Sequence, residues 1–396
     1  MYKILLISQN FYPELGSGAN RLKNIYKELN MMGMNVSALT TEPSYPEAKL
    51  FEEGSPYWND QEMNENDHIH RLNTFVSKEK TAFFWRILYY TELFLRVRHY
   101  LRKHQHHYDV IYVTTPNIFM PWSVMASGKK LRHKSLLEVR DLWPDSVFAL
   151  GKFTGFPFRQ LLKKAETNMY EYFAAIVVNN RSFAHHIQSV TDEAPEITYV
   201  PNSLVKEEMQ YSEDRPYSVI YSGNAGYAQD IDLLCEVCTK LKNHGVDVTL
   251  IPYGVHAKAL KTRLQEEQFA NVTVLDHMTR EESLNEMAKH HVSLSIMNQQ
   301  DVFMNVLPGK IIDSFGAGVP VVTNLAGETA HIIESNKAGF SMENAGSEEI
   351  TEAILTILRE PEVYQKHAFK LAESFTWEKN AEDLIRVIRG VNTRHG

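Results

Sequence analysis

PGKIIDSFGAGVPVV, Pro308 to Val322, carries three signals in one short run. The Pro-Gly pair sets a tight turn, Lys310 to Phe315 continues with the apolar spacing of a helix, and Gly316 and Gly318 stop that helix just before the apolar run VPVV. A helix that leads straight into an apolar strand is the repeating step of a parallel α/β sheet.

The same step recurs on both sides. At the N-terminus the strand Lys3 to Ser8 precedes the loop QNFYPELGSGAN, then a helix apolar at Leu22, Ile25, Tyr26 and Leu29 and closed by Gly33, then the strand NVSALTT. A polar insertion (52–67), a short strand near HIHRLN and a long aromatic segment follow. The strands DVIYVTT, KSLLEVRD, AAIVVNN and EITYVPN then alternate with helices. The stretch SLVKEEMQYSEDRP is polar and ends in Pro216, which marks a linker. Beyond it a second alternation begins with YSVIYSGNAG and runs through VDVTLIPYG, NVTVLDHM and VSLSIM to the opening stretch. The expected class is α/β with two doubly wound domains: 1–202, a linker at 203–216, 217–375, and a C-terminal helix at 376–396 that could cross back to the first domain.

The chain has 396 residues and 43% apolar composition, enough for two cores. Lys and Arg number 41 against 49 Asp and Glu, so a net charge of −8 gives no bulk reason to bind nucleic acid, and an anionic ligand must be held by local groups. The two cysteines, Cys235 and Cys238, fall at helical spacing with no second pair at zinc spacing. Buried thiols on one helix face are favoured over a redox pair, and so few cysteines suit a reducing cytoplasm. The first residues are too short an apolar run for a signal peptide, and no run approaches the ~20 residues of a membrane span.

In open α/β sheets ligands bind where strands end and helix N-termini present free N–H groups. Gly16, Ser17 and Gly18 form such a turn after the first strand, and SGNAG, with Gly223 and Asn224, repeats it in the second half. Each is equally readable as a plain flexible turn; together they would face one cleft. In the opening stretch, Lys310 adds charge to a helix N-terminus and Asp313, one turn on, can accept both hydroxyls of a ribose. The alternative is an ordinary i,i+3 surface pair between Lys310 and Asp313. Asp230 and Asp232, in DID, imitate a metal-binding pattern, but their place at a helix start reads as N-capping. The histidine pairs His106-His107, His185-His186 and His290-His291 point apart and are poor chelators.

At these residues the chain resembles the GT-B glycosyltransferases, glycosyltransferase family 4 (group 1). The resemblance rests on FYPELGSGANRLKNIYKEL, VRDLWPDS, YVPNS, YSGNAGYAQDIDLL, and LPGKIIDSFGAGVPVV followed by NLAGE. It is closest to amino-sugar transferases of bacterial surface-glycan synthesis, whose segments resemble LWP, GNxGxAQ and PSKxxExMAxGxPV. The resemblance implies two Rossmann-like domains facing a central cleft, with a nucleotide-diphosphate sugar, UDP-linked in the main reading, held mostly by the C-terminal domain. Asp313 matches the ribose-binding Glu of the family, one methylene shorter. Val306, Leu307, Pro308 and Gly309, with the Gly16–Gly18 turn, would cradle the diphosphate, and His277 and Met278 would line the base pocket. Arg140 and Asp141, in VRDLWP, would lie beside the reacting sugar, although a loop salt bridge between them is the plain alternative. Lys310 would stabilise the leaving phosphate.

Two features depart from the family pattern. The positions of its basic pair fall on Asn224 and Gln229, and the first Glu of its paired-Glu motif falls on Asn305. The implied reaction retains anomeric configuration and needs no cofactor or metal, the nucleotide sugar being a substrate. The acceptor is a lipid-linked saccharide of the cell envelope. Phe83, Phe84, Trp85, Ile87, Leu88, Leu95 and Val97, interleaved with Arg86, Arg96, Arg98, Arg102 and Lys103, suit an anionic membrane surface through 83–103, or else a helix packed inside the first domain. The expected place is the cytoplasm, with attachment at the inner membrane face as the sharper reading. Two alternatives remain: a non-hydrolysing sugar-nucleotide 2-epimerase, and a non-catalytic nucleotide-sugar-binding protein.

Overall fold

The structure, a computed structural model, describes residues 2–80, 82–149, 151, 155–212, 216–267 and 269–393. Residues 213–215 of the expected linker and 394–396 of the expected tail helix lie outside that set. The chain divides into two compact units, one running to Pro201 and joined by residues from Asn380 onward, the other Asn202–Lys379.

In the first unit β1 (Lys3–Ile7), β2 (Asn35–Thr41), β3 (Ile69–Leu72), β4 (Val110–Thr114), β5 (Ser135–Val139), β6 (Ala175–Val178) and β7 (Glu196–Tyr199) form one sheet in the order β3-β2-β1-β4-β5-β6-β7. In the second unit β8 (Ser218–Asn224), β9 (Asp247–Tyr253), β10 (Val272–Val274), β11 (Val292–Ser295), β12 (Val321–Thr323) and β13 (Gly339–Ser341) follow the order β10-β9-β8-β11-β12-β13. Every pairing is parallel. Counted from its own first strand, each sheet runs 3-2-1-4-5-6, the Rossmann order, with a seventh strand added beside the sixth in the first unit and the switch point between strands 1 and 4. The central strands are buried on both faces, which is why they read as unbroken apolar runs rather than alternating ones.

Helix Ser17–Met31 buries the expected Leu22, Ile25, Tyr26 and Leu29, and Gly33 takes φ +80 just past its end. Helix Gly309–Gly316 buries Ile311, Ile312 and Phe315 against Leu307, Val321, Leu325 and Phe375, and its Ser314 hydroxyl donates to the Ser293 hydroxyl of β11. Its opposite face therefore carries both Lys310 and Asp313. Cys235 and Cys238 are free and buried on helix Ile231–Asn243, and burial pushes their thiols up to about 11 and about 12, which suits packing and not redox chemistry.

Three elements differ from the sequence expectation. Strand β13 and helix Pro361–Ala372 lie in stretches with no clear period; β13 is three residues long and opens on Gly339. The stretch marked as a linker is not free: Leu204 is 1% exposed, its N–H donates to the Phe375 carbonyl, its carbonyl accepts from Trp377 N–H, and Gln210 N–H donates to the Gly316 carbonyl. Polar composition hid one buried leucine that straps the segment to the second unit. Helix Trp377–Thr393 begins in the second unit and groups with the first from Asn380 onward.

Leu204→Ala is accordingly expected to destabilise the second unit by roughly 2–4 kcal/mol, the usual cost of emptying a buried leucine site. Urea denaturation would show it, whereas a solvated linker would lose less than about 0.5 kcal/mol.

Candidate functional site

In the first unit a carboxylate inside the apolar strand β5 organises the surroundings. Glu138, fully buried, accepts from Arg21 Nε at 2.8 Å and from the Tyr112 hydroxyl at 2.7 Å, with Arg140 Nε 3.7 Å away. Burial alone would raise its pKa, but Arg21 and Arg140 outweigh burial and hold the carboxyl below its ordinary value. Arg21 also donates to the carbonyls of Pro201 (2.6 Å) and Val200 (2.9 Å), so the helix after the glycine turn is bolted to the end of the sheet.

Arg140 is largely committed. Its Nε donates to the Thr114 hydroxyl and the Thr115 carbonyl, both at 2.9 Å, and Nη2 to the same carbonyl at 2.8 Å. Its carboxylate neighbour is Glu138 rather than Asp141, so the plain loop pair is not what forms. Nη1 lies against Gly18, where any Cβ would collide with it. The clearance supplied by Gly18 is thus taken up by a guanidinium, while Gly16 (φ +112) makes the turn before the helix and Ser17 opens it. Asp141 is partly buried; burial raises its pKa, against the lowering effect of hydrogen bonds from Ser146 and the Leu142 N–H and of the Arg140 charge.

In the second unit the helix Gly309–Gly316 supplies two clusters one turn apart. Lys310 extends to the end of β8: its ammonium lies 4.6 Å from the Tyr221 ring centroid, beside Gly223, whose φ of +136 and missing side chain make room for it. That nitrogen is buried and has no hydrogen-bond partner among the described residues. Burial pulls its pKa down to about 8. The expected Lys310–Asp313 surface pair is absent. Asn224 and Gln229 serve the turn itself: the Asn224 side chain packs against Gly226 and Gly254, Gln229 Oε1 accepts from Gly226 N–H at 2.8 Å, and its amide nitrogen meets Met297 Sδ at 3.4 Å. Before the helix, Leu307 is buried in the core and the Val306 carbonyl accepts from the Thr329 hydroxyl at 2.6 Å; Pro308 precedes the first helical residue, Gly309.

Asp313 Oδ1 accepts from Arg280 Nη2 at 2.8 Å, and Arg280 is clamped by Glu208 through Nε (2.6 Å) and Nη2 (2.9 Å). Burial would lower the Arg280 pKa, but the Asp313 and Glu208 carboxylates raise it well above the ordinary value. Asp313 Oδ2 makes no hydrogen bond among the described residues. Among the described residues His277 Nδ1 is buried without a hydrogen-bond partner, and Met278 packs on the cluster of Ile220, Ile251 and Val319. Asn305 rests on Gly327, which takes φ +60 at the start of the next helix.

Arg21, Glu138, Glu208 and Arg280 were not found by sequence reasoning. Glu138 left a signal, a lone carboxylate in SLLEV, which a buried strand tolerates only with cations nearby. Arg280 and Glu208 left none, since each reads as a surface charge. Asp230 caps its helix by accepting from Leu233 N–H at 2.9 Å, as expected of DID. Among the described residues the carboxylates and imidazole of Asp145, Glu166 and His186 converge at metal-ligand range, but Lys163 Nζ sits among them, 2.8 Å from Asp145 Oδ1 and 2.9 Å from Glu166 Oε2. The lysine supplies the positive charge there.

Residues 206–372 match the family Glycosyl transferases group 1. The second unit is a group 1 glycosyl transferase domain. The whole chain has the GT-B fold: it is similar to sucrose-phosphate synthase from Thermosynechococcus elongatus (14% identity, TM-score 0.75, covering 100% of both chains). It is also similar to HepE of Anabaena in complex with UDP and glucose (12%, TM-score 0.68, 98% of this chain and 100% of that one). A third likeness is to WaaG, a glycosyltransferase involved in lipopolysaccharide biosynthesis (15%, TM-score 0.66, 99% and 100%). No curated protein matches the sequence. The matching family is one of transferases, not of 2-epimerases.

An anion placed at the group 1 domain's Gly223 turn would restore the Lys310 proton, so binding above pH 8 takes up one proton. UDP affinity measured by calorimetry is expected to fall about tenfold per pH unit above about 8, and Lys310→Met to lose that slope. The same shift has a sign for stability. A lysine whose folded pKa is lowered makes the folded state less stable at neutral pH, and the penalty fades as pH rises from about 8 towards its ordinary 10.5. Lys310→Met should therefore melt above the native chain near pH 7, with the gap closing near pH 10.

Proposed function

We propose that this protein transfers a sugar from a UDP-sugar to a lipid-linked saccharide in bacterial cell-surface glycan synthesis, with retention of anomeric configuration. The observation that carries this reading is the Lys310 ammonium, buried without an acceptor among the described residues at the glycine turn of a group 1 glycosyl transferase domain. A buried cation with no partner is costly unless an anion arrives. The donor's diphosphate has the charge and size for that place, and the start of helix Gly309–Gly316 offers N–H groups beside it. HepE was solved with UDP and glucose, which supports uridine as the base and a hexose as the sugar. The lipopolysaccharide role of WaaG supports an envelope acceptor.

In the proposed step the bond between the anomeric carbon and the phosphate oxygen breaks and its electron pair stays on that oxygen. The acceptor oxygen bonds to the same face of the carbon while its proton passes to the leaving phosphate. Negative charge grows on the diphosphate as the bond opens, so Lys310 and the helix N-terminus contribute most in the transition state. Asp313 takes the ribose hydroxyls. Arg140, held by Glu138 and the Thr115 carbonyl, sets the shape of the Gly16–Gly18 turn, and Asp141 orients sugar or acceptor. With Lys310 carrying the charge, turnover is expected to persist in EDTA.

The test begins with thermal shifts against UDP, GDP, ADP, TDP and CDP, followed by incubation with the matching sugar nucleotide. Stabilisation by UDP, loss of that shift in Asp313→Asn with the fold intact, and sugar transfer to a lipid-linked acceptor are the expected results. Epimerised donor, or bound donor that never turns over, would overturn the reading.

Membrane attachment is the second part of the proposal. Helix Phe83–His104 buries Tyr89, Leu93, Val97 and Leu101, one residue per turn, but Phe83 to Leu88 are exposed on every side, with Phe84 67% and Phe83 60% exposed. Lys80 stands 3.8 Å from the Trp85 ring centroid. The later turns of the helix pack in the first unit and its first turns present aromatic and basic groups outward, which supports attachment to an anionic surface. Among the described residues no helix is long and apolar enough to cross a membrane. Sedimentation with phosphatidylglycerol vesicles should capture the native chain, and Phe84→Glu with Trp85→Glu should abolish capture while leaving UDP affinity unchanged.

A further inference from the structure

We propose that Arg280 is a positioning residue for the Asp313 carboxylate and that Glu208 holds Arg280 in place. The inference rests on the ribose reading of Asp313. Arg280 is the first residue of helix Arg280–Met287, capped by Thr279, so its backbone is fixed by the capping box between Thr279 and Glu282. Its side chain is fixed at the far end by two parallel bonds to Glu208, a geometry a guanidinium makes and an ammonium does not. Glu208 is itself tied down, since its Oε2 accepts from the Val205 N–H at 3.3 Å. The chain of fixed groups ends at Asp313 Oδ1, 2.8 Å from Nη2.

The consequence lies in the other oxygen. With Oδ1 occupied, the Asp313 carboxylate cannot spin, and Oδ2 is left as an acceptor at one orientation. An acceptor fixed before binding spares the ligand the entropy of ordering it. The charges act in the same direction. Glu208 and Asp313 are two carboxylates bridged by one guanidinium, and without Arg280 they would face each other unscreened. Asp313 would then turn away or take up a proton, and either change removes the charged acceptor that a ribose diol needs.

The test compares UDP with 2′,3′-dideoxy-UDP by calorimetry. In the native chain UDP should bind more tightly than its dideoxy analogue. Arg280→Met should weaken UDP about tenfold or more, the cost of a lost hydrogen bond to a charged group, and bring the ratio of the two affinities close to one. Asp313→Asn should do the same, and the double variant should lose no more than Asp313→Asn alone. A general loss of positive charge would weaken both ligands equally and leave the ratio intact, so an unchanged ratio in Arg280→Met overturns the positioning role. An unchanged ratio in Asp313→Asn overturns the ribose reading instead, and no binding of UDP to the native chain removes both. Should Arg280→Met fail to fold, Glu208→Gln carries the same comparison, because it keeps the shape of the clamp while loosening it; there, a lowered ratio supports the role and an unchanged one overturns it.

Discussion

Parallel pairing is the constraint on which everything else in this chain depends. When every strand of a sheet runs the same way, each crossover helix must begin on the same edge, and that edge collects free N–H groups and partial positive charge. The outermost turns, at the switch point, then have to be both tight and open. Gly16, at φ +112 directly before the first helix of its unit, and Gly223, at φ +136 near the end of β8, each meet that demand on the stretch that leads from the first strand to the first helix. The recurrence comes from the shared strand order and needs no similarity of sequence between the halves.

The two units handle buried charge at this edge in opposite ways. The first neutralises it: Glu138 accepts from Arg21 and Tyr112 with Arg140 3.7 Å away, and the two arginines also donate to the carbonyls of Thr115, Val200 and Pro201. Such a network gives shape and little freedom. The second leaves the Lys310 ammonium without a hydrogen-bond partner among the described residues, in a place bordered by the Tyr221 ring and Gly223. Stability alone would favour an apolar residue there, and the proposed diphosphate site accounts for a cation kept at that cost.

The periodicity of the chain disclosed the architecture because both sheets are buried on two faces and their helices on one. Apolar strands such as VIYVT and amphipathic helices such as that at 17–31 are direct imprints of that burial. Lys310 and Asp313 were legible for the same reason: they are the polar face of a helix whose other face, Ile311, Ile312 and Phe315, is plainly core. What stayed hidden were partners brought together by the tertiary fold. Arg280 and Asp313 are far apart in sequence and meet because the helices at 280–287 and 309–316 are neighbours in the fold. Leu204 was missed because one buried residue in a charged segment has no period, and β13 because three residues show no alternation.

The departures from the family pattern at Asn224, Gln229 and Asn305 take a different meaning once the side chains are placed. Asn224 and Gln229 brace the turn 223–229, where a long basic side chain would compete for the volume over Gly223 that Lys310 fills. The positive charge has not been lost from this edge; it enters from the helix at 309–316. The same shift of burden describes Asp313, whose side chain is a methylene shorter than the Glu it matches. A shorter carboxylate reaches less far and has fewer rotors, and Arg280 removes one more by holding Oδ1. Reach is exchanged for fixed orientation, and that exchange works only while Glu208 keeps the guanidinium from following the ligand.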